Sequence, residues 1–325
     1  MIIFSFFVLF GWSYFFFTSP QNKNISDNAA VTEKNSAVTT NTALNSQSIF
    51  PGELAPDGVI RQANIPEPKK TSAAEILVGL EFQSSPDFKA FYQKYRQHTS
   101  PGIKYWVAGA LEICLRFAKN PDGKPYESAD DFLQSSVEGK QLADRTDAFN
   151  RLRNRCNGLE VSPAKETLIE MNALKTEAES GGDAKALAAR GILIDNKYSD
   201  FDIARSVSGI FKSEDPYAVM ELANLLQRPG LDYILIGANS HPVSYELVDA
   251  AAMLAACELG ADCSRSSASW QSLCIDTGRC DSSGIARQVL DYLDSDADRF
   301  EAQRVHDLIV KAAKTGDVSL LGLPK

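Results

Sequence analysis

Residues 253–284 read MLAACELGADCSRSSASWQSLCIDTGRCDSSG and hold four of the chain's six cysteines in two look-alike units. Each unit is a helical pattern ending in Cys, a Gly suited to the left-handed turn that ends helices, and a second Cys: Cys257 to Cys263 around Gly260, Cys274 to Cys280 around Gly278. One loop of a zinc site separates its two thiolates by about two to four residues. Five intervene in both pairs here, so the spacing argues for disulfides and against a metal. Reach then sets the partners. Helices over 244–259 and 267–276, packed antiparallel, would put Cys257 and Cys274 about 15 Å apart, whereas bridged Cα atoms lie within about 7 Å. The expected pairs are therefore Cys257–Cys263 and Cys274–Cys280, each locking the end of a helix.

Residues 103–117 are apolar on nearly every side, with Ile103, Trp106, Val107, Leu111, Ile113, Leu115 and Phe117, which predicts the central buried helix of the first half. Cys114 lies near its end. An unbroken helix over 128–156 would carry Cys156 about 40 Å from the preceding turn, out of reach of Cys114. A break at Glu138-Gly139-Lys140 returns Cys156 to the same end, so the remaining expected pair is Cys114–Cys156.

Residues 2–17, IIFSFFVLFGWSYFFF, form an uncharged apolar run suited to an uncleaved membrane anchor or signal segment over 1–20. With disulfides expected, the folded part belongs outside the cytoplasm, in the periplasm if the host is bacterial. Residues 21–70 are rich in Asn, Ser, Thr, Ala and Pro without hydrophobic period, as in a flexible linker, and Asn24-Ile-Ser26 matches a glycosylation sequon. Two folded regions are expected after it, a helical bundle over 71–160 and a repeat-like region over 161–325. The net charge of −9 falls on this folded part, because the charges of residues 1–70 cancel. That balance disfavours nucleic acid, whose binders concentrate positive charge.

Helix punctuation is dense and strand signals are scarce, which predicts an all-α fold. Ser72 with Glu75 forms a capping box, and Ser85-Pro86, Ser100-Pro101, Ser162-Pro163 and Asp215-Pro216 each set a cap before a first-turn proline. After Gly158 the chain repeats itself. Gly182-Asp183-Ala-Lys-Ala-Leu-Ala aligns with Glu214-Asp215-Pro-Tyr-Ala-Val-Met, both placing Asp before a small-residue helix, and Ala250, Ala251, Ala252, Ala255 and Ala256 crowd one later helix. Residues 177–183 and 311–317 end helices alike.

In these features residues 162–325 resemble the Sel-like and tetratricopeptide group of α-solenoids, although Leu231–Pro242 breaks the period. The resemblance implies an irregular solenoid of helical hairpins over that half and a non-enzymatic scaffold for a protein or peptide; with the helical bundle read before it and the compartment read from the cysteines, the expectation is a bundle running into a solenoid, with its partner in the cell envelope. Tyr217, Tyr233 and Tyr245 are the candidates for its concave binding face. Two other readings stand beside it: an envelope hydrolase or lyase using Glu112 as a buried acid within the apolar helix, and a purely structural, self-associating protein. The phosphate-loop, nucleophile-elbow, zinc-protease and dinucleotide motifs are absent, so no cofactor is expected. Of the three histidines, His241 is expected in a turn and His306 on a polar helix face.

Overall fold

Capping residues written into the chain fix where its helices start. A computed structural model describes residues 66–118, 124, 126–133, 141–161, 165–190, 199–228, 231–280, 283–293 and 295–325. The helices are α1 (Ala73–Ser84), α2 (Phe88–Tyr95), α3 (Pro101–Ala118), α4 (Ala129–Leu133), α5 (Leu142–Arg155), α6 (Lys165–Ser180), α7 (Ala184–Arg190), α8 (Asp200–Ser213), α9 (Pro216–Met220), α10 (Leu222–Leu226), α11 (Tyr245–Glu258), α12 (Ala268–Thr277), α13 (Ile285–Tyr292) and α14 (Asp296–Thr315). One antiparallel pair, β1 (Tyr233–Ile236) and β2 (His241–Ser244), interrupts them. The fold is therefore mostly helical, as the punctuation predicts. No described helix is long and apolar enough to cross a membrane. The apolar run 2–17, the sequon at Asn24, the break at 138–140 and Ser162-Pro163 lie outside the described residues.

The capping box at Ser72 and Glu75 opens α1, and Pro101 and Pro216 stand at the first positions of α3 and α9. One cap moves. Asp87 rather than Ser85 caps α2, because its carboxylate accepts the Ala90 N–H at 3.0 Å and Pro86 stays outside the helix. The central helix of the first half is α3, packed against α1, α2, α5, α6 and α7. Trp106, Val107, Leu111 and Phe117 are buried along it, with the Phe82, Phe88 and Phe91 rings clustered at one end and the Phe132 and Phe149 rings at the other.

The second half of the chain returns to this core. α12 runs antiparallel along α5, held by two buried arginines at opposite ends of α5. Arg145 donates from Nε and Nη2 to the Ile275 carbonyl, at 3.0 and 2.8 Å, near the end of α12. Arg155 donates to the Gln83 carbonyl at 2.8 Å and to the Ser266 carbonyl just before α12. A guanidinium has a fixed fork of donors, so each arginine satisfies carbonyls that a lysine would reach one at a time. α11 does not form the expected hairpin with α12; it packs on α14, α9 and α13, and its alanines 250, 251, 252, 255 and 256 are buried at the contacts.

All six cysteines pair as the spacing predicts: Cys114–Cys156 with Cα atoms 5.4 Å apart, Cys257–Cys263 at 5.7 Å and Cys274–Cys280 at 4.7 Å. The first ties α3 to the end of α5; the other two close the ends of α11 and α12. Gly278 takes the left-handed conformation at the end of α12, with φ of 66°.

Two histidines depart from expectation. His241 is in β2, not a turn, its ring nitrogen 3.8 Å from Glu301 on α14. His306 is buried between α14 and α11, with Nε2 3.2 Å from Glu258 and Nδ1 2.9 Å from Asp307. Packing of α11 on α14 covers a position that looks polar in the sequence of α14 alone.

The Cys114–Cys156 bond spans 42 residues and each of the other two spans 6. In the loop-entropy account, removing the first by paired Cys→Ala substitution costs about 4 kcal/mol, against about 2 kcal/mol for either short loop. Urea unfolding of the three double variants checks this order, and equal losses would refute it.

Candidate functional site

The repeated Asp phrase of the sequence becomes two neighbouring helix starts. Asp183 Oδ1 accepts the Ala186 N–H at 2.7 Å as α7 begins, and Asp215 Oδ1 accepts the Tyr217 N–H at 2.9 Å as α9 begins. Each carboxyl satisfies a backbone donor that the helix leaves open, at the end where the helix dipole favours negative charge. Glu75 of α1 joins them, accepting from the Ser72 N–H at 2.8 Å, from the Gly102 N–H at 3.3 Å and from the Ser100 hydroxyl. A Cβ on Gly102 would stand 3.0 Å from both Asp183 Oδ2 and Glu75 Oε1, so a larger residue at the start of α3 would press on both acids. Burial raises the Glu75 carboxyl, but hydrogen bonds from Ser100, Ser72 and Gly102 outweigh it and hold it below the ordinary range.

Behind the caps lies Lys185 of α7, 9% exposed. Its ammonium sits 3.8 Å from the centre of the Trp106 ring and 5.3 Å from those of Tyr105 and Tyr217. Among the described residues no carboxylate comes within the 4.0 Å of an ion pair. Aromatic faces offset only part of the cost of removing an ammonium from water. Burial accordingly drives the Lys185 amine below its ordinary value, with Glu221, Asp215 and Asp183 opposing.

Glu221, 1% exposed between α9 and α10, is pushed up to about 8 by burial, against the pull of Lys185. Burial likewise lifts Asp183 to about 7, with Asp215 adding to it, and Asp249 on α11 to about 7, with Glu246 adding to it. Asp215 is raised by burial as well. Asn224 of α10 links the two sides: its Nδ2 donates to Glu221 Oε2 at 3.2 Å, and its Oδ1 accepts from the Tyr245 hydroxyl at 2.7 Å. The cluster thus sets carboxyls that burial raises beside an amine that burial lowers, a combination suited to proton transfer and to nucleophilic attack by nitrogen. Among the described residues no group of His, Cys, Asp or Glu is arranged to hold a metal.

The three tyrosines expected on one concave face divide. Tyr217 is a correction to that expectation: it is 1% exposed, its ring edge-on to Trp106 at 4.9 Å and its oxygen accepting the Asp262 N–H at 3.1 Å, so it meets no ligand at a surface. Tyr245 belongs to the cluster through Asn224. Tyr233 is 40% exposed on the outer face of β1, with Leu235 beside it on the same face. Glu112 is not the buried acid of the fold. It is half-buried at the seam of α3 and α6 and ion-paired with Lys175 at 3.0 Å. The buried acids are Glu221, Asp249, Asp183 and Asp215, of which the sequence signalled only the last two through their repeat.

Family models, curated protein sequences and solved structures were each compared with the chain, and none of them matches it.

Asp183, Glu221 and Asp249 hold protons in the folded state up to about pH 7 to 8, whereas unfolded carboxyls release them near about pH 4. Between those values the folded state binds the extra protons. The stability these groups contribute is complete below about pH 4 and is lost as pH rises through about 7 to 8, at about 1.4 kcal/mol per group per pH unit. Urea unfolding at a series of pH values is expected to show the decline, with a shallower slope in Glu221→Gln. A slope unchanged in that variant would refute the assignment.

Proposed function

We propose that the protein is a non-enzymatic helical scaffold on the oxidising side of a membrane, tethered through residues 2–17 and binding a protein or peptide partner. The observation that supports it most is the pairing of all six cysteines, since disulfides persist where thiol reductants do not act. The repeat-like half contributes the scaffold as an irregular α-solenoid. Its contact face includes Tyr233 and Leu235, which stand exposed on the outer side of the two-stranded sheet. An exposed tyrosine beside an aliphatic side chain, on a strand with a free edge, offers apolar area, a polar tip and unpaired backbone groups together. The negative balance of the chain favours partners of neutral or basic surface.

The full chain, expressed in its own host and cross-linked in intact cells, is expected to capture a defined partner. Tyr233→Ser with Leu235→Ser is expected to weaken capture roughly tenfold, the effect of losing about 1.4 kcal/mol at an interface. Mapping the cysteines of the same sample completes the test. Capture unaffected by the double variant would remove the sheet face from the reading, and recovery of the cysteines as free thiols would remove the compartment.

A further inference from the structure

We propose that Lys185 and Asn224 become joined by an amide bond, the Lys185 amine displacing the side-chain nitrogen of Asn224 as ammonia and cross-linking α7 to α10. The proposal stands independently of the scaffold reading. Both atoms of the Asn224 amide are already engaged as such a displacement requires. The Tyr245 hydroxyl donates to Oδ1 at 2.7 Å, where negative charge develops when a nucleophile adds to Cγ. Glu221 Oε2 lies 3.2 Å from Nδ2, the atom that must leave with a proton.

The nucleophile is carried by a neighbouring helix. α7 packs directly against α10 and α9, and Glu221, the hydrogen-bond partner of Asn224, is the foremost charged neighbour acting on the Lys185 ammonium. Lys185 is nine-tenths buried and, among the described residues, has no ion pair to break before its flexible arm moves. Burial favours the neutral forms of both groups, the free amine of Lys185 and the protonated carboxyl of Glu221, which are the forms the reaction consumes.

The step balances without any added reagent. The Lys185 lone pair forms a bond to Asn224 Cγ, and the carbonyl electrons move to Oδ1, held by the Tyr245 hydroxyl. Glu221 gives its proton to Nδ2, the Cγ–Nδ2 bond breaks and ammonia leaves. The Glu221 carboxylate then takes the surplus proton from Nζ and returns to its starting state. No atom is oxidised or reduced. The product is a neutral secondary amide in place of a buried ammonium, which removes the unpaired charge from the cluster.

Mass spectrometry of the full chain, unfolded with its disulfides reduced and then digested with trypsin, tests the bond. The expected result is no cleavage after Lys185 and a branched peptide containing Lys185 and Asn224, lighter than its two components by one ammonia beyond the chain connectivity. Lys185→Arg, Asn224→Leu and Glu221→Gln are each expected to abolish the branched peptide, with circular dichroism and the disulfide map reporting whether each variant folds. Normal cleavage at Lys185 in the wild type overturns the proposal, whatever the variants do. Loss of one water in place of ammonia would place the bond on a carboxyl and overturn the role of Asn224. A branched peptide persisting in Glu221→Gln would overturn the role of Glu221 as the acid.

Discussion

The Lys185 ammonium, without an ion pair among the described residues, enclosed by Trp106, Tyr105 and Tyr217 and ringed at longer range by carboxyls, constrains much of the molecule around it. One positive charge cannot balance Asp183, Asp215, Glu221 and Asp249 in their ionised forms. The fold answers in two ways. Asp183 and Asp215 are placed at helix starts, where backbone N–H groups oppose the rise that burial imposes; burial nevertheless raises all four carboxyls toward their protonated forms. The site is therefore polar without being highly charged, which is what makes its burial affordable to a domain of marginal stability.

The cluster lies where two hydrophobic cores meet. Along α9, Tyr217 and Met220 point into the core built on α3, while Ala218 and Val219 point into the one built from α8, α11 and α14. A short helix with opposite faces in two cores has no exposed side for its polar neighbours, so Asp215 and Glu221 at its two ends are buried with it. The acids mark the seam, and the arginine pair of α5 performs a related task farther along the first core. Arg145 and Arg155 satisfy the carbonyls at both ends of α12 and so fix its register on α5, while Cys114–Cys156 fixes where α5 stops against α3.

Features set by neighbours in sequence were legible, and those set by neighbours in space were not. The disulfides fall in the first class: a helix-ending glycine between two cysteines confines both sulfurs to one turn, so Cys257–Cys263 and Cys274–Cys280 follow from local reach alone. The capping box at Ser72 is another case. The hairpin at 233–244 was missed because four-residue strands give too short an alternation, and Pro242 argues against a strand unless it lies at an edge, as it does here. In AKALAAR, Lys185 reads as an ordinary surface lysine. The approach of Tyr105 and Trp106 from α3 and of Tyr217 from α9 buries it, and no local pattern encodes that approach. The same holds for His306 beneath α11 and for Tyr217, whose aromatic character suggested a surface role that packing against Trp106 removes.

The two kinds of link also differ in what they ask of the surroundings. Disulfides need an oxidant and can be undone by a reductant, so they bind the ends of α11 and α12 to the redox state of the compartment. The Lys185 cluster responds to protons and sits on the seam between the cores, meeting the Cys257–Cys263 loop where Tyr217 accepts the Asp262 N–H. Loosening the staples frays helix ends that belong to the first core, since Cys257, Cys263, Cys274 and Cys280 all pack there. Charging the cluster instead acts on α9, a short helix with a face in each core. The disulfides act at single helix ends, whereas the buried acids and their lysine act on a helix packed into both cores.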